Sequence, residues 1–174
     1  MADIKISALP AATTPLAGTE VLPIVQSGVT VKVAVNNLTV GPAFSAYQNT
    51  TTAVSASTLT KVLFNVELFD TNNNFSSSRF TPTVEGYYQV NARAGFSAAV
   101  LTRAVIQIYK NGAAVNSLED TNGAAAYSSI GSALIQMNGT TDYLEIYIFL
   151  TGATTTYDGG AVFTWFQAFM ARGV

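Results

Sequence analysis

The sequence has no cysteine and no histidine, and few of its residues are charged. Without cysteine and histidine it has no disulfides, thiol nucleophiles, imidazole acid–base catalysts or usual zinc ligands. Charged residues make up 10% of the 174 positions, against about 25% in a typical soluble domain. This scarcity favours a surface partly covered by sister subunits or by a larger assembly. The alternative is a monomer coated with Thr, Ser, Asn and Ala.

Long apolar runs are also missing. No run approaches the ~20 residues that a membrane-spanning helix needs, and no charged-then-apolar signal segment opens the chain. We therefore expect assembly in a cytosol and no membrane partner. The net charge is −2, and the eight Lys and Arg residues are scattered. That distribution does not predict a phosphate-binding surface, so no nucleic-acid partner is expected.

Aromatic residues recur at fixed intervals between positions 64 and 88. A strand buries every second residue, and turns favour Asp, Asn and Gly. The series therefore predicts short strands and tight turns around one aromatic core, in an all-β protein. Asn-Gly pairs at 111–112 and 138–139 are the strongest hairpin signals. The series itself is Phe64, Asp70, Phe75, Phe80, Gly86 and Tyr88.

Two regions differ in composition. Residues 1–42 contain four of the five prolines and no aromatic residue, whereas residues 43–174 contain every Phe, Tyr and Trp. The boundary falls at Gly41-Pro42, because proline biases its predecessor towards extended structure and ends regular elements. We predict an N-terminal anchoring arm over residues 1–42 and a main domain over residues 43–174.

The arm contains the pattern of a short β-hairpin. Residues 21–26 and 29–35 read as strands, and Ser27-Gly28 reads as the turn between them. A lone hairpin is marginal in water, so its apolar side chains must pack on the main domain, a sister chain or a docking partner. A valine-rich linker is the alternative. The predicted anchor contacts are Val21, Ile24, Val29, Val31, Val33 and Val35.

Two strands of the main domain are apolar on both faces. Residues 143–150 turn aliphatic side chains one way and aromatic ones the other, and residues 162–171 show a similar pattern. Neither face of such a strand suits bulk water. Since there are no helical crossovers of the length that a parallel sheet needs, subunit contact is the better explanation. The predicted trimer contacts are Tyr143, Tyr147, Phe149, Phe163, Trp165 and Phe169.

One segment begins like a calcium-binding loop. Asp70, Asn72 and Asn74 have the right spacing, but the pattern then needs Gly at its sixth position and Glu at its twelfth. Those places hold Phe75 and Thr81. We therefore predict an Asx turn and no metal or cofactor; a calcium site built from several loops is the open alternative.

The sequence contains few groups of residues that could form a catalytic site. Glu119-Asp120 is the only adjacent carboxylate pair, and neighbours on a strand point to opposite faces, whereas a glycosidase needs two carboxyls facing one sugar. No Gly-x-Ser-x-Gly motif or phosphate loop is present, so we predict no enzymatic activity. Tyr127 and Tyr157 lie in predicted loops. Each either binds saccharide or protein or packs under its own loop.

The aromatic series resembles the signature of the complement C1q globular heads, relatives of the tumour-necrosis-factor (TNF) trimers. Residues 108–112 look like that family's strand ending in an Asn-Gly hairpin, and residues 163–169 like its aromatic last strand. Val90 stands where the family has Phe. The resemblance covers about residues 43–174. It implies an antiparallel jelly-roll β-sandwich of about ten strands that forms a homotrimer.

Residues 6–14 and 18–30 resemble the N-terminal attachment segments of tailed-bacteriophage fibres and other virion appendages. This resemblance implies a peptide that fastens a trimeric knob to a particle. The leading hypothesis is a virion structural protein, namely a capsid decoration or cement protein assembled in the host cytoplasm. Its arm would bind the major capsid protein or another virion protein.

Three alternatives come from other classes. The first is a short tail fibre or receptor-binding tip whose loops at Tyr127 and Tyr157 contact host glycans. The second is an extracellular ligand of the cytokine type. The last is an enzyme that cleaves capsular polysaccharide through Glu119 or Asp120.

Overall fold

Every regular element in the described part of the protein is a β-strand. The computed structural model describes residues 20–34, 41–96, 100–122 and 127–174. The chain divides into two compact units, Met1–Val40 and Gly41–Val174. In the described ranges, no helix is long and apolar enough to cross a membrane.

The first unit contains one hairpin, and the second contains a sandwich. The hairpin consists of β1 (Val21–Gln26) and β2 (Val29–Ala34). The strands of the second unit, some of them only two residues long, are β3 (Ala43–Tyr47), β4 (Thr52–Ala53), β5 (Leu59–Lys61), β6 (Val66–Asp70), β7 (Phe75–Ser76), β8 (Arg79–Phe80), β9 (Glu85–Gly95), β10 (Val100–Lys110), β11 (Ala113–Asn122), β12 (Ser128–Asn138), β13 (Leu144–Thr154), β14 (Thr156–Tyr157) and β15 (Trp165–Gly173).

Two antiparallel sheets form the sandwich. The five-stranded sheet has the order β12-β9-β15-β3-β6. The six-stranded sheet has the order β11-β10-β13-β8-β7, with β5 also paired to β13. Strands β4 and β14 form a small separate pair. The sandwich confirms the predicted all-β jelly-roll fold.

The core lies between the sheets and is rich in aromatic rings. Phe44 of β3 stacks on Phe80 of β8 with ring centroids 4.5 Å apart, and on Phe75 of β7 at 4.7 Å. Phe166 of β15 meets Phe44 edge-on at 4.8 Å, and Tyr88 meets Phe80 at 5.6 Å. The contacts of Phe44 with Phe75 and Phe80, and of Tyr88 with Phe80, join one sheet to the other. Each aromatic pair adds about 0.5–1.5 kcal/mol to the gain from burial. The predicted aromatic core is therefore confirmed.

Strand β13 shows how the alternating pattern sets the faces of a sheet. Its aliphatic residues are all buried in the core, as the sequence predicted, while its aromatic residues point to the outside of the sandwich. Burial of each large aliphatic side chain contributes about 1.5–3 kcal/mol. The buried set is Leu144, Ile146, Ile148 and Leu150.

The two Asn-Gly pairs form different connections. Asn111 and Gly112 have φ of 53° and 81°, which suits the tight hairpin between β10 and β11. The second pair was also predicted to form a hairpin, but β12 pairs with β9 and β13 with β10. The turn at Gly139 therefore links the two sheets. Asn138 Oδ1 caps this turn by accepting the N–H groups of Thr140, Thr141 and Asp142, each at 3.0 Å.

Candidate interaction surfaces

The outward side of the five-stranded sheet, here called the open face, exposes large apolar side chains from several strands. Leu134 on β12 is 59% exposed, and Phe169 on β15 is 48% exposed. Pairing through Gln89 of β9 sets both residues in one row across the sheet. Neighbouring rows add the exposed residues Tyr87, Ile130 and Phe69. Large exposed apolar patches on soluble domains mark interaction sites.

The open face carries little charge in its central rows. Arg93 is the charged residue there, and it is held by the turn that precedes β15. Its Nη1 donates to the carbonyl oxygen of Val162 and lies 3.4 Å from that of Phe163. Between the apolar residues, central positions carry amides and hydroxyls, including Asn91 and Gln167. Scarcity of charge and the presence of aromatic side chains are features of the core of a protein interface.

The six predicted trimer contacts do not form one surface. Trp165 and Phe169 lie on the open face, and Phe163 lies in the turn beside it, with its Cβ close to Gly95. The other three residues lie on the outward side of the six-stranded sheet, at the opposite side of the sandwich; Tyr147 and Phe149 belong to β13, and Tyr143 directly precedes it. If one face of a subunit bound the opposite face of the next, the subunits would form a filament. A closed trimer instead requires contact surfaces that are related by a rotation about one axis. Only one of the two groups can therefore lie close to a threefold axis.

Tyr147 of β13 lies beside a buried carboxylate, that of Glu145. Glu145 Oε1 accepts hydrogen bonds from Lys61 Nζ at 2.8 Å and from Arg79 Nε at 2.9 Å. Tyr147 Oη lies 3.4 Å from the other oxygen, and its ring contacts that of Tyr109 at an interplanar angle of 37°, with ring centroids 4.3 Å apart. The sequence pattern predicted a subunit contact here. That contact stays a prediction; within the subunit, these side chains already have partners.

Two cations keep the buried carboxylate ionised. Burial by itself would raise the pKa of Glu145, but the hydrogen bonds and charges of Lys61 and Arg79 outweigh it and lower the pKa. Asp142, in the turn after β12, is also kept ionised by its neighbours. Burial opposes ionisation there, while bonds from Lys110, Asn111 and the backbone lower the pKa. The Glu145 and Asp142 side chains therefore both stabilise the fold in their ionised form.

The two loop tyrosines have different environments. Tyr127 is 68% exposed, which fits a loop residue that contacts a partner, and its ligand role stays a prediction. Tyr157 was given two possible roles, ligand contact or packing under its own loop, and the structure shows its ring packed inside the subunit. It is 1% exposed, belongs to the core, and its hydroxyl accepts the N–H of Leu63 at 3.4 Å. The pairing of β14 with β4 turns the ring inwards, which no local sequence signal indicated.

The hairpin of the first unit exposes apolar side chains on both faces. Residues directly opposite each other in an antiparallel pair point to the same side. Leu22 is opposite Val33, and Ile24 is opposite Val31, so these residues share a face with Val29. Val21 points to the other face, opposite Ala34. The predicted anchor set therefore does not share one face, and Val35 lies outside the described residues.

The remaining candidate sites form structural contacts. Asp70 Oδ2 accepts the N–H of Phe75 at 2.6 Å and Oδ1 that of Asn72 at 3.2 Å, so this carboxylate caps a turn. Within the described ranges, no three acidic side chains cluster as metal ligands. Asp120 makes a bidentate pair with Arg103, and this partner lowers its pKa. Glu119 instead accepts the N–H of Ile130 at 2.7 Å, so the two adjacent carboxylates point apart.

Sequence reasoning missed two groups of surface residues. Ile130 and Leu134 alternate with core residues on β12, but a single strand pattern does not reveal which face another sheet covers. Lys61 and Arg79 are far apart in the sequence and meet only because β5 and β8 both pair with β13. No local signal predicted that meeting.

Comparison with known proteins supports the fold. No family model matches the chain, and no curated protein matches it. Among solved structures, the globular domain of zebrafish complement 1qA is 23% identical, with a TM-score of 0.57, covering 77% of this chain and 99% of that one. Murine APRIL at pH 8.5 is 10% identical, with a TM-score of 0.52 and coverages of 74% and 98%.

A TNF protein, Eiger from S. frugiperda, is also similar, at 10% identity and a TM-score of 0.52, with coverages of 77% and 95%. At these identities the likeness concerns the fold alone. The fold expected from the aromatic series is thus confirmed, whereas the likeness of the first forty residues to phage attachment segments stays a prediction. The second unit of this chain has the jelly-roll fold of the C1q and TNF type.

Proposed function

We propose that this protein is a non-enzymatic structural protein that forms a homotrimer through the open face. The observation that carries the proposal is the exposure of Leu134, Phe169 and their neighbours on a face with little charge. Covering these side chains in an assembly removes apolar area from water and offsets the entropy lost on association. This proposal places the trimer contacts on the open face alone, whereas the contacts predicted from the sequence lie on both sides of the sandwich.

The open face is a better candidate than the outward side of the six-stranded sheet. Tyr143, Glu145 and Tyr147 on that side already have partners within the subunit. Partnered groups gain less from a second contact than unpartnered apolar groups. The jelly-roll neighbours of the C1q and TNF type support a trimer as the assembly.

The larger assembly that we propose is a virion. The hairpin of the first unit exposes Leu22, Ile24 and Val29, a feature suited to docking on another protein, such as a major capsid protein. Three hairpins tied to one trimer would bind with a high effective concentration, so weak single contacts would persist. The protein would then act as a capsid decoration or cement protein, assembled in the host cytoplasm.

A second candidate is a short tail fibre or receptor-binding tip. The exposed loop residue Tyr127 favours it, because a tyrosine offers both a stacking face and a hydroxyl to a glycan. Labelling of intact particles distinguishes the two roles. Decoration over the whole capsid supports a cement protein, and a signal confined to the tail supports a fibre.

Sedimentation equilibrium of the full-length protein tests the assembly. One chain has a mass of 18.3 kDa, so three chains have 3 × 18.3 = 54.9 kDa. A stable species of that mass, independent of loading concentration over a wide range, is the expected result. A monomer at all concentrations would refute the homotrimer and remove the role given to the open face.

A further inference from the structure

A cavity of about 590 Å³, lined by residues with polar side chains, opens beside the six-stranded sheet. Its lining comes from β5, the turn after β6, the β7–β8 hairpin and the segment after β8. The volume lies in the range of about 300–1,000 Å³ that is usual for small-ligand sites. The lining combines two cations with amides and hydroxyls, including Lys61, Arg79, Asn73, Ser76, Ser77 and Thr81.

Arg79 is held in place with part of its guanidinium unengaged. Its Nε donates to Glu145 Oε1 at 2.9 Å, and its Cζ lies 3.8 Å from the centroid of the Tyr143 ring. These two contacts fix both the direction and the plane of the group. Among the described residues, nothing accepts a hydrogen bond from its two terminal nitrogens. A guanidinium fixed in this way presents the fork that matches a carboxylate.

The cavity has a net positive charge in an acidic protein. Lys61 and Arg79 share one carboxylate, Glu145, which is 5% exposed and lies behind them. Two positive charges against one negative charge leave a balance of +1, whereas the whole chain carries −2. The lining residues include no carboxylate. The net positive charge therefore attracts an anion that enters the cavity, and no carboxylate in the lining repels it.

The turn between β7 and β8 brings hydroxyl groups to the rim. Ser77 and Ser78 both have positive φ, at 52° and 59°. Ser78 Oγ accepts the N–H of Phe64 at 2.8 Å, and the carbonyl oxygen of Ser77 accepts Lys61 Nζ at 3.0 Å. Within the described ranges, the side chains of Asn73, Ser76, Ser77 and Thr81 have no hydrogen-bond partner. They remain available for ligand hydroxyls.

We propose that this cavity binds an acidic saccharide. The sugar carboxylate pairs with the free edge of Arg79 and with Lys61, and the ring hydroxyls bond to the Ser, Thr and Asn side chains. A positive, hydroxyl-rich cavity suits this ligand better than a nucleic acid, because the other cations of the chain are scattered. The cavity borders the six-stranded sheet, away from the open face, so this inference does not rest on the trimer.

Protein-observed NMR titration of the full-length chain tests the proposal. The probes are methyl α-D-galacturonate, its neutral counterpart methyl α-D-galactoside, and inorganic phosphate. We expect saturable shifts from the galacturonate, confined to residues around the cavity, with much weaker effects from the other two probes. Arg79→Gln should weaken galacturonate binding by about ten- to a hundredfold, the usual effect of losing hydrogen bonds to a charged group.

Arg103→Gln is the matched control. It removes an arginine that is also paired with a carboxylate, Asp120, but that does not line the cavity. Binding by this variant should equal that of the unchanged protein. The chemical-shift changes of the unchanged protein locate the binding site without any variant, so the proposal can still be tested if Arg79→Gln fails to fold.

Three outcomes would overturn the proposal. They are shifts located away from the cavity or absent, equal binding of the neutral galactoside, and phosphate binding as tight as that of the galacturonate. Sedimentation reports separately on the trimer. A monomer that binds galacturonate at the cavity would refute the proposed homotrimer and leave this inference standing.

Discussion

Replacing Leu134 with alanine should weaken trimer formation while leaving the subunit folded. Leu134 is 59% exposed in the single subunit. Because full burial of a leucine side chain contributes about 1.5–3 kcal/mol, covering that fraction contributes about 1–2 kcal/mol per subunit. Three copies of the variant therefore lose about 3–5 kcal/mol of association free energy.

That loss has a measurable size. It corresponds to about two to four orders of magnitude in the equilibrium constant for three chains joining. Because the midpoint concentration of a trimer varies as the square root of that constant, the midpoint should rise roughly ten- to seventyfold. Sedimentation equilibrium over a dilution series measures the midpoint directly.

Leu59→Ala supplies the matched control. Leu59 of β5 is 41% exposed, and it pairs with Phe149 of β13 in the six-stranded sheet, so it does not lie on the open face. This variant should assemble like the unchanged protein, and both variants should unfold at nearly the same denaturant concentration. Equal midpoints for the two variants would refute the assignment of the interface to the open face.

Two further predictions concern the stability of the subunit. Glu145→Gln should lower the free energy of unfolding at neutral pH by about 1–2 kcal/mol, since the carboxylate is buried but Lys61 and Arg79 remain partly hydrated. The lowered pKa means that this contribution is complete above the unfolded value of about 4.3 and is lost as the pH falls through the folded value below it. Urea titrations at pH 7 and pH 3 should therefore show a gap between variant and unchanged protein that narrows at the lower pH; a constant gap would contradict the role of the charge. Gly139→Ala should cost at least about 2 kcal/mol, because φ is +67° and an added Cβ would lie 2.3 Å from the nitrogen of Glu85. Gly173→Ala, which meets open space, should be neutral in the same urea titration, and equal losses would contradict the steric argument.

The sequence by itself determined the class of fold and the composition of the core. Alternation of apolar residues marks which side chains of β13 are buried, and the aromatic series marks the residues that meet between the sheets. Both signals are local, because strand geometry alone sends successive side chains to opposite sides. The short hairpin at Asn111-Gly112 was predictable for the same reason, as the turn requires residues that tolerate positive φ.

Only the tertiary structure decided which surfaces remain uncovered. Tyr157 has the sequence context of a loop residue, yet its ring is buried by the pairing of β14 with β4. The aromatic residues of β13 and β15 look equivalent in the sequence but lie on opposite sides of the sandwich. Lys61 and Arg79 meet at Glu145 only through strand pairings between distant segments. Exposure and long-range pairing depend on which strands become neighbours, and a periodic pattern within one strand does not contain that information.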